Sequence, residues 1–389
     1  MEDSRSITES DWQRLRTHLP VTRKWAYFDH AAVGPLTQAC CEAMQIWLDE
    51  ATQEGDTAWP IWHDQLRELR SFMPKIIGAH EDEIAFVPNT TTGINLVAEG
   101  FPWQPGDSVV TLENEFPSNL LPWLQLRQQG VDVRLVPCDN GNVSMDQVIA
   151  ACDQTTRIVS LSWVGFASGY RLDLQEAAER IHQTGALFFL DAIQGMGVFP
   201  LDLQTCPIDF LAADGHKWML GPEGAGIFFV RREHLETLRP RAVGWNSVDT
   251  PFQFDVSDFR IRPSAARYEG GTMNQAGFIG LLASLKLLHR FGLNPQSTII
   301  GQRVTELANE LVEKLSILGA EWLSPMVPDH SSGIVNFLIP GKSSASIRKS
   351  CMENGVVVSC RGGGVRASVH CYNNSQDIDR LVDAVKACL

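Results

Sequence analysis

The sequence predicts an α/β protein, with a large domain on a mostly parallel seven-stranded sheet flanked by helices and a smaller α+β domain at the C-terminus. Three observations predict it. From about Ile84 onward, short apolar runs alternate with amphipathic stretches of helical period, the pattern of strands joined through helices into a parallel sheet. The chain's 389 residues exceed what one compact core usually holds. Near Leu281 the texture changes to two long helical stretches followed by short strands.

In chain order, "EIAFVPN" reads as a strand ending at Asn89, and "TTTGINLVAEG" as the helix after it, with Thr and Asn side chains as capping oxygens. "DSVVTL" with "SNLLPWLQLRQQG", "DVRLVP" with "SMDQVIAACDQ", and "TRIVSLSWV" with "DLQEAAERIHQTG" repeat that unit, and "ALFFLDAIQ" is the next strand. "DFLAA" and "GIFFV" follow, separated only by the segment around "DGHKWMLGPEGAG". That segment is too short for a helical crossover, so this pair is expected to be antiparallel. The smaller domain takes the helices "GLLASLKLLHRFG" and "STIIGQRVTELANELVEKLSILG", the strands "GIVNFLI" and "GVVVSC", and a closing helix "SQDIDRLVDAVKACL".

Composition excludes several function classes. With 46 acidic against 32 basic residues and a formal charge of -14, the chain lacks the clustered Lys and Arg that nucleic acid or an anionic membrane would need. The N-terminal "MEDSRSITESDWQRL" is polar and acidic, and no apolar run approaches a membrane span, so a cytoplasmic protein is expected. Nine cysteines without CxxC spacing indicate neither a disulfide framework nor a structural zinc site, and no metal is expected.

Ligands of open α/β sheets collect at the carboxyl ends of the strands, and three placements there carry chemistry. Thr90, Thr91 and Thr92 with Gly93 open a helix whose backbone N–H groups and hydroxyls could hold a phosphate, or could only cap it. Asp191 ends an apolar strand, three residues before Gln194, where a carboxylate is costly unless a cation or donor meets it. Lys217 lies on the tight connection, where partial desolvation would lower its pKa and make the amine a usable nucleophile or base. A strand-end Asp 26 residues before a loop lysine is the pair a pyridoxal-phosphate site requires: the carboxylate keeps the pyridine nitrogen protonated and the amine forms the Schiff base. Other readings fare worse. HExxH and GK[ST] are absent, "GFASGY" is not a GxSxG elbow, and "GPEGAG" precedes a strand instead of a helix, which disfavours a Rossmann-type NAD oxidoreductase.

Several motifs taken in order, "YFDHAAVGPL", "FVPNTTTGINLVA", "ENEFPSNLLPW", "FLDAIQ", "DGHKWMLGPEGAGIFFV", "RYEGGTMNQAGFIGL" and "VRASVHCYNNSQDIDRLV", resemble the class V aminotransferase family. That is the fold-type I pyridoxal-phosphate group that includes cysteine desulfurases, kynureninase and isopenicillin N epimerase. The resemblance implies pyridoxal 5'-phosphate as cofactor and a division into an N-terminal arm packing with the small domain (1–24), a large cofactor-binding domain (25–285) and a small α+β domain (286–389). It implies Lys217 as the Schiff-base lysine, Asp191 as the pyridinium partner, Gln194 at the ring's phenolic oxygen, and Thr90, Thr91 and His216 at the phosphate. Thr272, in "EGGT", matches the residue that reaches the phosphate from a neighbouring subunit, so a homodimer is expected. Phe116 matches the aromatic that stacks on the cofactor in kynureninase-like members, and Arg366 the arginine that receives a substrate α-carboxylate.

The departures lie on the substrate side. Between "GVVVS" and Arg366 the chain has only "CRGGGV", where desulfurases carry a longer loop with a persulfide-forming cysteine, so Cys360 is a doubtful equivalent and Arg361 beside it becomes a candidate substrate contact. Asp214 stands where desulfurases have a hydroxyl residue for the phosphate, and Gly165 and Phe166 where they have an asparagine. His30 adds a titratable group that either faces the substrate or serves as a structural hydrogen-bond partner. The resulting expectation is an enzyme acting on an amino acid or amine, provisionally by transamination, with β-lyase or desulfurase-type cleavage as the runner-up and epimerisation third.

Overall fold

The computed structural model describes residues 7–253 and 259–389; the first six residues of the expected N-terminal arm lie outside them. The strands run in chain order as β1 (Ala26–Tyr27), β2 (Ile84–Val87), β3 (Ser108–Leu112), β4 (Asp132–Val136), β5 (Thr156–Ser162), β6 (Leu187–Asp191), β7 (Phe210–Asp214) and β8 (Gly226–Val230). They continue as β9 (Glu321–Trp322), β10 (Ile334–Leu338), β11 (Val356–Val357), β12 (Ser359–Arg361) and β13 (Gly364–Ser368). β2 to β8 form one seven-stranded sheet in the order β2-β8-β7-β6-β5-β3-β4. Every β3 to β7 pairing is parallel, while β8 runs antiparallel to both β7 and β2, as the short connection through Lys217 requires. β2, β3, β7 and β8 are buried along their whole length, which is why their sequences are continuous apolar runs instead of alternating ones.

The second unit is a four-stranded antiparallel sheet, β12-β13-β10-β9, against which the helices Ile299–Ile317, Ser344–Glu353 and Ser375–Lys386 pack. "GVVVSC", expected as one strand, divides into β11 and β12, which join different sheets: β11 pairs with β1 and β12 with β13. The segment after β1 runs between the two units. Phe28 N–H donates to Val357 O (2.9 Å), Ser368 N–H donates to Phe28 O (2.7 Å), and Asp29 bridges Ser368. This delivers residues 31–34 to the carboxyl ends of the interior strands β6 and β7, where Ala31 O accepts from Gln194 and Gly34 N–H donates to His216 O.

Two helices that the apolar pattern did not single out, Gln38–Gln53 and Trp59–Phe72, pack on the helix Gln275–Arg290. Residue 286, where the sequence places a domain boundary, falls inside that last helix, which runs unbroken from Gln275 to Arg290. The N-terminal arm bridges both units: Arg16 makes a bidentate pair with buried Asp377 (2.6 and 2.9 Å), while Trp12, Leu15 and Leu19 enter the core that also holds large-sheet residues. Among the described residues no helix is long and apolar enough to cross a membrane.

Candidate active site

The carboxyl ends of β2, β5, β6 and β7 converge on a cavity of about 340 Å³ that also takes residues from the β1 segment and from the β12–β13 hairpin. Lys217 lies on its wall at 9% exposure. Burial pushes its amine down to about 8, with Arg366 acting in the same direction and Asp191, Asp214 and Asp29 opposing. The turn that holds it is tight. Leu220 N–H returns to Lys217 O (3.2 Å), and Leu220 is the one non-glycine residue with positive φ (54°) among the described residues. Gly34 N–H donates to His216 O (2.7 Å), and a Cβ at Gly34 would meet Lys217 O at 2.0 Å, so the β1 segment and the lysine turn touch backbone to backbone. Two glycines of the turn serve packing, since a Cβ at Gly215 would meet Ala225 O (2.7 Å) and Leu281 Cδ1 (2.8 Å) and one at Gly221 would meet Leu281 Cδ1 (2.7 Å), while Gly224 takes the left-handed conformation (φ 78°).

Asp191 closes β6 at 3% exposure, and burial raises its carboxyl to about 6 despite the Ile193 N–H (3.1 Å) and the Lys217 charge, both of which lower it. Gln194 is anchored twice: its Oε1 accepts from Trp218 Nε1 (2.7 Å) and its Nε2 donates to Ala31 O (3.0 Å), which leaves one amide N–H for a further acceptor. At the opposite end the helix Thr90–Gly100 points its N-terminus at the cavity. Its cap is Asn89, whose Oδ1 accepts from Thr92 N–H (2.9 Å), so capping does not account for the threonines. Thr90 Oγ1 accepts from Asp214 N–H (2.9 Å) and Thr91 Oγ1 donates to Ser118 Oγ (2.8 Å), and with Thr92 and Gly93 N–H both bonded to Asn89, the N–H groups of Thr90 and Thr91 are the ones left for an anion. His216 Nδ1 lies 2.9 Å from Asp214 Oδ2 outside hydrogen-bond geometry, and Asp214 Oδ1 is buried without a partner.

Phe116 is 41% exposed with its ring centroid 5.7 Å from Lys217 Nζ, and it meets Phe166 edge to face (5.2 Å). Arg366 is 2% exposed. Its Nη1 donates to Phe166 O (2.7 Å), its Nη2 lies 3.3 Å from Asp29 Oδ1, and its Nε is buried without a partner. Arg361 also lines the cavity, and Cys360 does not: register pairs Cys360 with Val365, on the hairpin face opposite the arginines.

His30 does not fulfil the substrate-side expectation. It is fully buried, its Nδ1–H donates to Ser368 O (2.7 Å) and its Nε2 accepts from Tyr372 OH (2.6 Å), so both ring nitrogens are used in joining the β1 segment to the small sheet. Burial holds its pKa well below the ordinary value and keeps it neutral. Thr272 lies against a separate cavity with Trp245 and Arg262. Sequence reasoning passed over Ser118, Ser162, Glu115 and Asp29. Glu115 accepts from Ser162 N–H (2.7 Å) and from the Ser162 hydroxyl, and burial raises it to about 7. Ser162 is the register partner of Asp191 and lines the cavity, and its position at the end of an apolar strand was the available signal.

Residues 26–381 match the family described as Aminotransferase class-V. The chain belongs to the class-V aminotransferase family. A protein of Methanothermobacter thermautotrophicus named "Probable cysteine desulfurase" is 33% identical, covering 96% of each chain. One of the same name from Chlamydia trachomatis is 32% identical over 94% of each. The apo structure of a cysteine desulfurase from Thermococcus onnurineus NA1 superposes with a TM-score of 0.88 at 25% identity, covering 99% of both chains. This class-V enzyme has pyridoxal 5'-phosphate as its cofactor. The donor set fits that group: a helix N-terminus with two hydroxyls for an anion, a buried carboxylate with a single protein donor, a buried amine of lowered pKa, and an aromatic face beside it. Asp214, whose free oxygen faces no protein donor, is the one residue that adds negative charge near the anion end.

Proposed function

We propose that this enzyme removes the α-proton of an α-amino acid and cleaves a bond at its β-carbon by elimination; the relatives' names, cysteine desulfurase, likewise point to removal of a β-substituent from an amino acid. The observation that carries the reading is the placement of a buried amine of lowered pKa and a buried guanidinium with an unpartnered Nε on one cavity. When bound, pyridoxal phosphate supplies the electron sink that makes a carbanion at Cα accessible.

The residues then divide the work. Arg366 holds the α-carboxylate through its free Nε and the Nη2 now shared with Asp29, which fixes which bond at Cα faces Lys217. Lys217 takes the α-proton as general base; the lowered pKa gives it an uncharged fraction near neutrality. Asp191 would hold a negative charge against the cofactor's ring, Gln194 would offer its remaining N–H to a further acceptor on the cofactor, and Thr90, Thr91 and His216 would hold its phosphate. Phe116, beside Lys217, would lie against the cofactor and help to exclude water from the reacting carbon. The β-substituent leaves with its bonding pair, and the product hydrolyses to a keto acid and ammonia. Thr272 serves the site of a second copy across a twofold interface, since it does not line its own.

A persulfide on the chain's own sulfur is not part of this proposal, because none of the nine cysteines lines the cavity. Transamination would employ the same Lys217 and Arg366, and the relatives' names favour cleavage over it. The test is an amino-acid panel with product identification. Keto acid and ammonia in equal amounts without an added amino acceptor support cleavage, with Cys360→Ser changing the rate less than about twofold. Dependence on a keto-acid acceptor, or racemised substrate alone, would overturn it.

A further inference from the structure

We propose that the substrate carries a second anionic group on its β-substituent, held by Arg361 while Arg366 holds the α-carboxylate; this rests on the reading of the cavity given above. In the β12–β13 hairpin Ser359 pairs with Arg366 and Arg361 with Gly364. Cross-strand partners share a face and so do alternate residues, so Arg361 and Arg366 project from the same face while Cys360 and Val365 occupy the other. Both arginines line the cavity of Lys217. The hairpin's two turn residues, Gly362 (φ 55°) and Gly363 (φ 86°), have the left-handed conformations of a type I' turn, which fixes the register and with it the spacing of the two arginines.

Neither guanidinium is satisfied by the protein. Arg366 keeps a buried Nε with no partner and only a long contact to Asp29. Arg361 has one hydrogen bond, Nη1 to Cys360 O (2.9 Å), and among the described residues no carboxylate pairs with it. The two cations act on each other unfavourably, since Arg361 is among the charges that depress Arg366. Arg366 is buried, whereas Arg361 is exposed at the rim of the cavity and is solvated when the cavity is empty, so an α-carboxylate on Arg366 leaves Arg361 free to exchange water for a second anionic group. Diagonal neighbours on paired strands have Cα atoms roughly 7–8 Å apart, which puts both flexible arginine side chains within reach of one small substrate whose short side chain ends in a carboxylate, sulfinate or phosphate. Phe116 and Phe166 form an apolar wall on the same cavity, which strengthens each charge pair by excluding water. Arg361 would then also stabilise the β-substituent as it departs with negative charge.

Binding to the holoenzyme, read from the change in cofactor absorption, tests this without requiring turnover. Aspartate is titrated against asparagine, and S-carboxymethylcysteine against its side-chain amide, so that each pair differs by one charge at two lengths. The acid of at least one pair is expected to half-saturate at a concentration lower than its amide by about tenfold. Arg361→Gln should move that acid-to-amide ratio about tenfold toward the amide, whereas Arg366→Gln raises both members together. Amides binding as tightly as acids would overturn the proposal. So would Arg361→Gln weakening acid and amide by one factor while cofactor absorption is intact, the signature of two arginines sharing one carboxylate. Failure of the chain to take up pyridoxal phosphate is a different result, which sinks the reading of the site as well.

Discussion

Lys217 carries two opposed influences, burial that expels its proton and three carboxylates that retain it, and burial wins, leaving the amine at about 8. Below that pH the amine is protonated and cannot attack an aldehyde; above it the free base is available. The rate of covalent cofactor capture by the apoprotein is therefore expected to rise with pH and level off above about 8, followed as growth of visible absorption. A rate flat from pH 6 to 10 would contradict the account. At this scale the sequence was legible where a charged residue ends an apolar run, as at Asp191, or interrupts one, as at Lys217. It was not legible at Asp29 and His30. The two are adjacent, and which of them meets Arg366 and which is buried against Ser368 and Tyr372 follows from the pairing of Phe28 with Val357 and Ser368, contacts more than 300 residues away.

The elements that present these residues meet through backbone contacts, and Gly34 is the narrowest. A methyl group there would overlap Lys217 O, so Gly34→Ala must displace either the lysine turn or the β1 segment. It should cost about 1–3 kcal/mol in denaturant unfolding and weaken pyridoxal-phosphate binding in titration. Wild-type stability and affinity would show that the contact is soft. The large-sheet strands and their antiparallel ending were readable because both faces are covered and the runs are continuously apolar. The helix Gln38–Gln53 was not, since Cys40 is its only buried residue and Ile46 and Leu48 are exposed, so no wide apolar stripe marks it.

Across the whole molecule, the amino end of the sheet is held by a different charge arrangement. Burial raises Asp209, but hydrogen bonds from His182 and His234 (2.7 Å each) and Phe188 N–H prevail and hold it down to about 2. His182 is raised, first by its bond to Asp209. The stabilising share of Asp209 is present above its ordinary pKa near 3.8 and lost as pH falls through 2; that of His182 is present below 6.5 and lost as pH rises through its raised value. Asp209→Asn should therefore lower the thermal midpoint more at about pH 5.5 than at about pH 8.5. An equal loss at both would mean that His182 contributes no charge. These two histidines lie in separate segments and gave no signal in the sequence; only the fold brings them to one carboxylate.

The holoenzyme permits the most direct test of the central claim, that this cavity holds pyridoxal phosphate on Lys217. The chain is incubated with the cofactor, reduced with borohydride, digested and mapped by mass spectrometry, with Lys217→Ala in parallel. The account predicts a phosphopyridoxyl group on Lys217 in the wild-type chain and none at that site's peptide in the variant. An unmodified Lys217, or equal labelling of surface lysines in both proteins, would contradict it.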